Sequence, residues 1–137
     1  MSGLVETPLT LVTERMSPGF VKHHLNWLGM NDAHCPVPGY VFHEHTEPDL
    51  GAPHDHPFDF ETHVLRGSYV EEVFIPFVNG GWRVEHHVRW WGQRYEVQAE
   101  HIHRIIALPD GPCLTLALYG PARREVRFWP EALEAAS

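Results

Sequence analysis

Residues 68–91 read SYVEEVFIPFVNGGWRVEHHVRWW. Two arms rich in Val, Phe, Ile and Trp flank Asn79-Gly80-Gly81, a trio that tolerates positive φ. β-Branched and aromatic residues suit a pleated, half-buried surface, so Ser68 to Val78 and Trp82 to Trp91 predict a β-hairpin. Working outward, short β-type runs fall at Val41 to His45, Phe60 to Arg66, Arg94 to Ala99, His101 to Leu108, Cys113 to Tyr119 and Glu125 to Trp129, separated by turn residues. Eight or more such strands predict an all-β sandwich or barrel. Pro130 leads into Glu131 to Ala136, a short helical turn. Near the start, Ser17-Pro18 has the form of an N-cap followed by proline at the first helical position. Phe20, Val21, Leu25 and Leu28 then predict a short helix up to Gly29, packed outside the barrel. Residues 1–38 are thus read as an N-terminal extension and 39–137 as the barrel, within one domain.

Composition narrows the function classes. With 137 residues, 43% hydrophobic and 20% charged, the chain is ordinary globular material, neither disordered tail nor fibre. Ten basic against eighteen acidic residues give a net charge of −8, the wrong sign for a phosphate-neutralising patch, so no nucleic-acid partner is expected. Apolar stretches such as Ile105 to Leu108 fall far short of the roughly 18 residues of a membrane span. Met1 to Val12 carries Glu6 and no basic residue, unlike a secretory signal, so a cytoplasmic address is expected, with Cys35 and Cys113 free and reduced. The anomaly is histidine: twelve in all, eight of them at or before His63, a surplus that suggests metal binding.

The densest cluster is Pro53-His54-Asp55-His56-Pro57-Phe58-Asp59-Phe60, followed by Glu61 and His63. Alternate residues of an extended segment point to one side, so His54 and His56 can aim both rings at one divalent ion. A third imidazole would complete a facial set with open positions, and His101 and His103 on a later strand have the right type and shared parity. A surface His-x-His pair is more often merely solvated, and only the later motifs raise this one above that reading. In His43-Glu44-His45 the simplest reading has one ring hydrogen-bonded inside and one outside, with a substrate contact as the alternative. The adjacent pairs His23-His24 and His86-His87 read as surface histidines. Arg123, Arg124 and Arg127 read first as structural pairing with the acidic N-terminal half, and second as the rim of a mouth for an anion. The hairpin tryptophans read as core or dimer contact.

Together these motifs resemble the cupin superfamily. The likeness is to small single-domain cupins that carry, in order, His54-x-His56-Pro57-x-Asp59-Phe60, then Leu65-x-Gly67-x-Tyr69, then His103-Arg104, then Gly120-Pro121-x-Arg123-Arg124-Glu125-x-x-Phe128-Trp129. It covers roughly residues 39 to 130. The resemblance implies a double-stranded β-helix, or jelly-roll barrel, with His54, His56 and His103 as metal ligands. Many cupins place a glutamate ligand seven residues before the turn glycine; here that place is Phe60. A three-histidine site is therefore expected, with Asp59 close by if the Pro57 kink changes the strand phase.

Two functions compete. The first is a metal-dependent enzyme on a small, anionic molecule, with dioxygenase-type oxidoreductase chemistry as first guess and isomerase or lyase chemistry also open. Asp59, Glu61 or His101 would move protons, and the ion is open among Fe, Mn, Ni and Zn. The second is a non-catalytic metabolite- or metal-binding module, sensory in role. A homodimer is expected, because a barrel of this size has sheet edges and aromatic surface to cover.

Overall fold

The computed structural model describes residues 9–27 and 39–136. Nine strands are present among them: β1 (Leu9–Ser17), β2 (Phe20–Trp27), β3 (Gly39–His45), β4 (Phe60–Arg66), β5 (Ser68–Pro76), β6 (Trp82–Trp90), β7 (Arg94–Val97), β8 (Ile102–Ala107) and β9 (Cys113–Tyr119). A 3-10 helix over Pro130–Ala136 follows. Every paired strand is antiparallel, in a six-stranded sheet of order β1-β2-β3-β9-β4-β7 and a three-stranded sheet of order β6-β5-β8. The fold is therefore the expected all-β jelly-roll barrel.

Local chemistry sets the connections. Gly80 (φ 92°) and Gly81 (φ 84°) turn the β5–β6 hairpin, whose register runs unbroken from Pro76↔Trp82 to Ser68↔Trp90. Gly67 (φ 76°) turns β4 into β5, and a Cβ there would lie 2.8 Å from the Pro112 carbonyl oxygen. Any other residue at Gly67 would be strained twice over, by φ and by contact.

Alternation then defines the interior. On β9 the buried residues are Cys113, Thr115, Ala117 and Tyr119. Their partners on β3 are His45, His43, Val41 and Gly39, and on β4 Val64, Thr62 and Phe60 face Thr115, Ala117 and Tyr119. The small sheet contributes Tyr69, Glu71 and Val73 from β5, with Ile105 and His103 as the β8 partners of the last two. Val64, Tyr69 and Cys113 form an apolar cluster with Tyr95, Ile105 and Leu108. Along the same inner faces this cluster gives way to histidine. On the other face of the small sheet, Phe74 and Ile102 pack under Ala132 of the 3-10 helix, joined by Trp82 and Trp129. Burying a ring such as Phe74 supplies about 1.5–3 kcal/mol and fastens the C-terminal segment to the barrel.

Two expected elements are corrected. The helix expected after Ser17 is replaced by strands: Pro18-Gly19 form a turn, and β2 pairs with both β1 and β3. Phe20, Lys22 and His24 alternate with Val21 and His23, and a period of two beside an open sheet edge outweighs a loose helical spacing. Leu28 and Gly29 lie outside the described residues, as do His34 and Cys35. The expected strand Glu125 to Trp129 reduces to a single bridge, Phe128 with His54, because this segment pairs with the histidine loop instead of a sheet.

Candidate metal centre

The loop from Pro53 to Asp59 is held by backbone hydrogen bonds on both flanks. His54 and His103 exchange a pair, N to O at 3.0 and 3.1 Å, and the His56 N–H donates to the Ala99 carbonyl at 2.9 Å. Between the two histidines, Asp55 turns the opposite way and is fully buried. It accepts from the Arg127 backbone N–H (2.6 Å), Arg124 Nη2 (2.9 Å) and Trp129 Nε1 (3.1 Å). The C-terminal motif thus fixes the carboxylate that separates the two histidines, and with it the direction of both rings.

His54, His56 and His103 converge. One ring nitrogen from each lies within 4.8 Å of the other two. The ring centroids of His54 are 5.3 Å from His56 and 5.0 Å from His103, and those of His56 and His103 are 4.8 Å apart. Phe60 stands edge-on to His56 at 4.9 Å. An aromatic wall therefore occupies the place where the resemblance would put a carboxylate ligand.

The sequence reading missed Glu71. This carboxylate is completely buried, and its Oε1 accepts from His103 Nδ1 at 2.7 Å and from His101 Nε2, while Oε2 accepts from Arg89 Nε at 3.1 Å. Burial pushes its pKa up, but the hydrogen bonds from His101 and His103 more than offset this and hold it well below the usual carboxylate range. An ionised carboxylate only accepts, so the His103 proton sits on Nδ1 and Nε2 presents a lone pair. That Nε2 lies 3.1 Å from His56 Nε2. Carboxylate, imidazole and open lone pair in series make the arrangement that orients metal-binding histidines. Glu71 was legible in principle, because Tyr69, Glu71 and Val73 share one strand face.

The donor set suits a divalent cation. Burial keeps His54 neutral by lowering its pKa to about 3, and lowers His56 well below its ordinary value. His56 Nδ1 is buried and has no partner among the described residues. Three neutral imidazoles with facing lone pairs are what such an ion requires, and they repel without one.

The other candidates are placed as follows. His101 lies beside His103, rings 5.0 Å apart, on the shared Glu71 carboxylate. Asp59 and Glu61 do not join the three converging histidines. Asp59 accepts from the Ala99 N–H and from Arg123, each at 2.8 Å, and the Arg123 guanidinium holds its carboxyl below the usual range. Glu61 pairs with Arg94 at 3.0 Å on the outer side of β4. The Pro57 kink precedes the strand and leaves its phase unchanged: Phe60 faces in, so its neighbours face out. His43 and His45 both face in, correcting the expectation of one ring on each side, since residues two apart share a face. His24 is likewise buried; His86 is exposed as expected, whereas His87 is half-buried on the edge strand, on the Glu71 face, and pairs with Glu85. A surface groove by Arg66, Trp90, Trp91 and Pro112 lies apart from the histidines.

Solved structures share this architecture. Oxalate oxidase in complex with the substrate analogue glycolate aligns with TM-score 0.61 at 15% identity, over 84% of this chain and 58% of that one. KdgF from Halomonas sp. aligns with TM-score 0.52 at 21% identity, over 82% and 89%. Momordica charantia 7S globulin aligns with TM-score 0.64 at 12% identity, over 87% and 35%. The fold is that of the cupins. No protein-family model and no curated protein sequence matches the chain. The chain spans little more than half the length of oxalate oxidase and of hydroxypropylphosphonic acid epoxidase from S. wedmorenis. At these identities the likeness establishes the cupin fold, and the chemistry has to be argued from the residues.

Proposed function

We propose that this cupin-fold chain is a metal-dependent enzyme acting on a small anionic molecule, with His54, His56 and His103 as the metal ligands. The observation that carries this reading is the convergence of three ring nitrogens beside a buried carboxylate that fixes the tautomer of one of them. Support comes also from fold neighbours that are by name enzymes of a small acid, oxalate oxidase and oxalate decarboxylase. A divalent ion held by three histidines supplies Lewis-acid or redox chemistry at its open positions.

The chain's own residues do the rest. Glu71 orients His103 and keeps its Nε2 free. Phe60 keeps water from one side of His56. His101, on the Glu71 carboxylate and partly exposed, replaces Asp59 and Glu61 as the group that moves a proton at its ring nitrogen. Dioxygenase-type oxidation is the first reaction to test, before isomerase and lyase chemistry. Metal analysis of protein purified without a histidine tag, followed by a dioxygen-consumption screen with small acids and thiols, tests the reading. Stoichiometric metal and turnover support it; stoichiometric metal without turnover of any acid or thiol favours a binding module; protein without metal overturns both. We propose further that the chain acts in the cytoplasm as a homodimer, since Trp90 and Trp91 are exposed on the edge strand β6 and just beyond it. Light scattering at micromolar concentration should give twice the chain mass.

A further inference from the structure

Lys22 is the only lysine in the chain, and it lies on the inner face of the barrel. The register shows this: Phe20, Lys22 and His24 of β2 pair with His45, His43 and Val41 of β3, the same face that meets the buried side of β9. Its ammonium lies 5.8 Å from the Phe20 ring, which stacks flat on His45 at 4.3 Å. Among the described residues no carboxylate lies within ion-pair distance of Lys22. Glu14, its cross-strand partner on β1, instead accepts from His24 Nε2 at 3.1 Å. His45 is 5% exposed, and its Nδ1 is buried without a partner among the described residues.

We propose that Lys22, with His43 and His45, is the carboxylate-binding subsite of this centre, holding one end of a small acid whose other oxygen reaches His54, His56 and His103. The inference deepens the proposed function and rests on it for the metal end alone. A half-buried ammonium among neutral imidazoles is costly until an anion joins it. Burial lowers the Lys22 pKa, which Glu14 partly opposes, and the Lys22 charge in turn is felt by His43, His45 and His54. The Lys22 charge is therefore within electrostatic reach of the β3 histidines and of His54.

The arginines do not compete for this role. Arg89 is held by Glu71, Arg124 by Asp55, and Arg123 by Asp59 and Glu100. A single ammonium matches a singly charged carboxylate better than a phosphate dianion. The ligand class is thus a small carboxylic acid with a second oxygen donor, such as a hydroxy acid, an oxo acid or a dicarboxylate.

Reductive 13C-methylation, which keeps the charge, gives Lys22 the sole lysine NMR signal, separate from the N-terminal amine. Zinc-loaded protein is titrated with malonate, neutral malonamide and inorganic phosphate, and malonate affinity is measured calorimetrically for wild type, Lys22→Met and Lys22→Arg. The expected result is a saturable shift with malonate and none with malonamide. Lys22→Met should lose at least tenfold in affinity with metal content and thermal midpoint retained, and Lys22→Arg should recover most of it. Equal affinity in Lys22→Met, equal binding of malonamide, tighter binding of phosphate, or no saturable shift overturns the proposal. Failure of the metal reading appears separately, as wild-type protein without stoichiometric zinc. In that case the Lys22 signal should still respond to malonate, more weakly, and its silence would count against the subsite as well.

Discussion

Glu71 Oε1 lies 2.7 Å from His103 Nδ1, on a carboxylate with no exposure to solvent. The pair links the small sheet to the candidate metal ligands, and its strength depends on the negative charge. Glu71→Gln keeps the shape but weakens the hold on His103 Nδ1, so metal affinity should fall by about 10–100-fold with the fold retained. Glu71→Ala leaves Arg89 without its buried partner and should cost about 3–5 kcal/mol of stability. Competition with a chelator and urea unfolding read the two effects separately.

His56→Ala removes one of three converging nitrogens and should abolish stoichiometric metal binding. His87→Ala, on the edge strand β6 where its ring pairs with Glu85, should leave it intact. Elemental analysis of tag-free protein checks both, and a His56→Ala protein that keeps its metal sinks the assignment.

Acid should destabilise the metal-free protein early. His54 and His45 have pKa values lowered to about 3 and about 4, and His43 and His56 are also lowered, each chiefly by burial. The unfolded chain takes up these protons near pH 6.5 while the folded state refuses them, so stability is complete above pH 6.5 and falls as the pH drops toward the folded values. At pH 5 each such ring costs up to about 2 kcal/mol. Urea midpoints should decline steadily between pH 7 and pH 5. Because His54 and His56 are also candidate ligands, bound metal should persist below the ordinary histidine range.

Asp55→Asn keeps the volume but weakens three hydrogen bonds to the C-terminal segment. We expect lower thermal stability and metal affinity together, because the neighbours of Asp55 are His54 and His56. Trp129→Phe removes a single donor and should cost about 1 kcal/mol for that bond. If Asp55→Asn binds metal as wild type does, the clamp is structural only.

Much of the barrel was legible because alternation and turn chemistry agree. The sequence bounds of β4 and β9 match the structure to the residue, and the hairpin arms differ only at their ends. His54 and His56 were legible as a pair because residues two apart share a side. Glu71 was hidden because adjacent acids do not say which of them faces in; Glu72 lies on the opposite face, buried against Arg104 and His86. Lys22 was hidden by the helical reading of Ser17-Pro18, which scattered a face that the strand collects. Asp59 was expected near the metal only if Pro57 shifts the strand phase, and it does not: Asp59 bonds to Ala99 and Arg123, and Glu61 to Arg94.

Asp55 and Arg127 are 72 positions apart, yet the backbone N–H of one fastens the carboxylate of the other. During synthesis the histidine loop emerges long before the segment that clamps it. Until Trp129 has left the ribosome, the Asp55 carboxylate between His54 and His56 lacks its C-terminal partners, and loop closure over that span is costly. On the proposed function, metal capture is then a late event in the life of each molecule. An ion acquired there acts as a seal on a finished barrel and cannot serve as a seed for its folding.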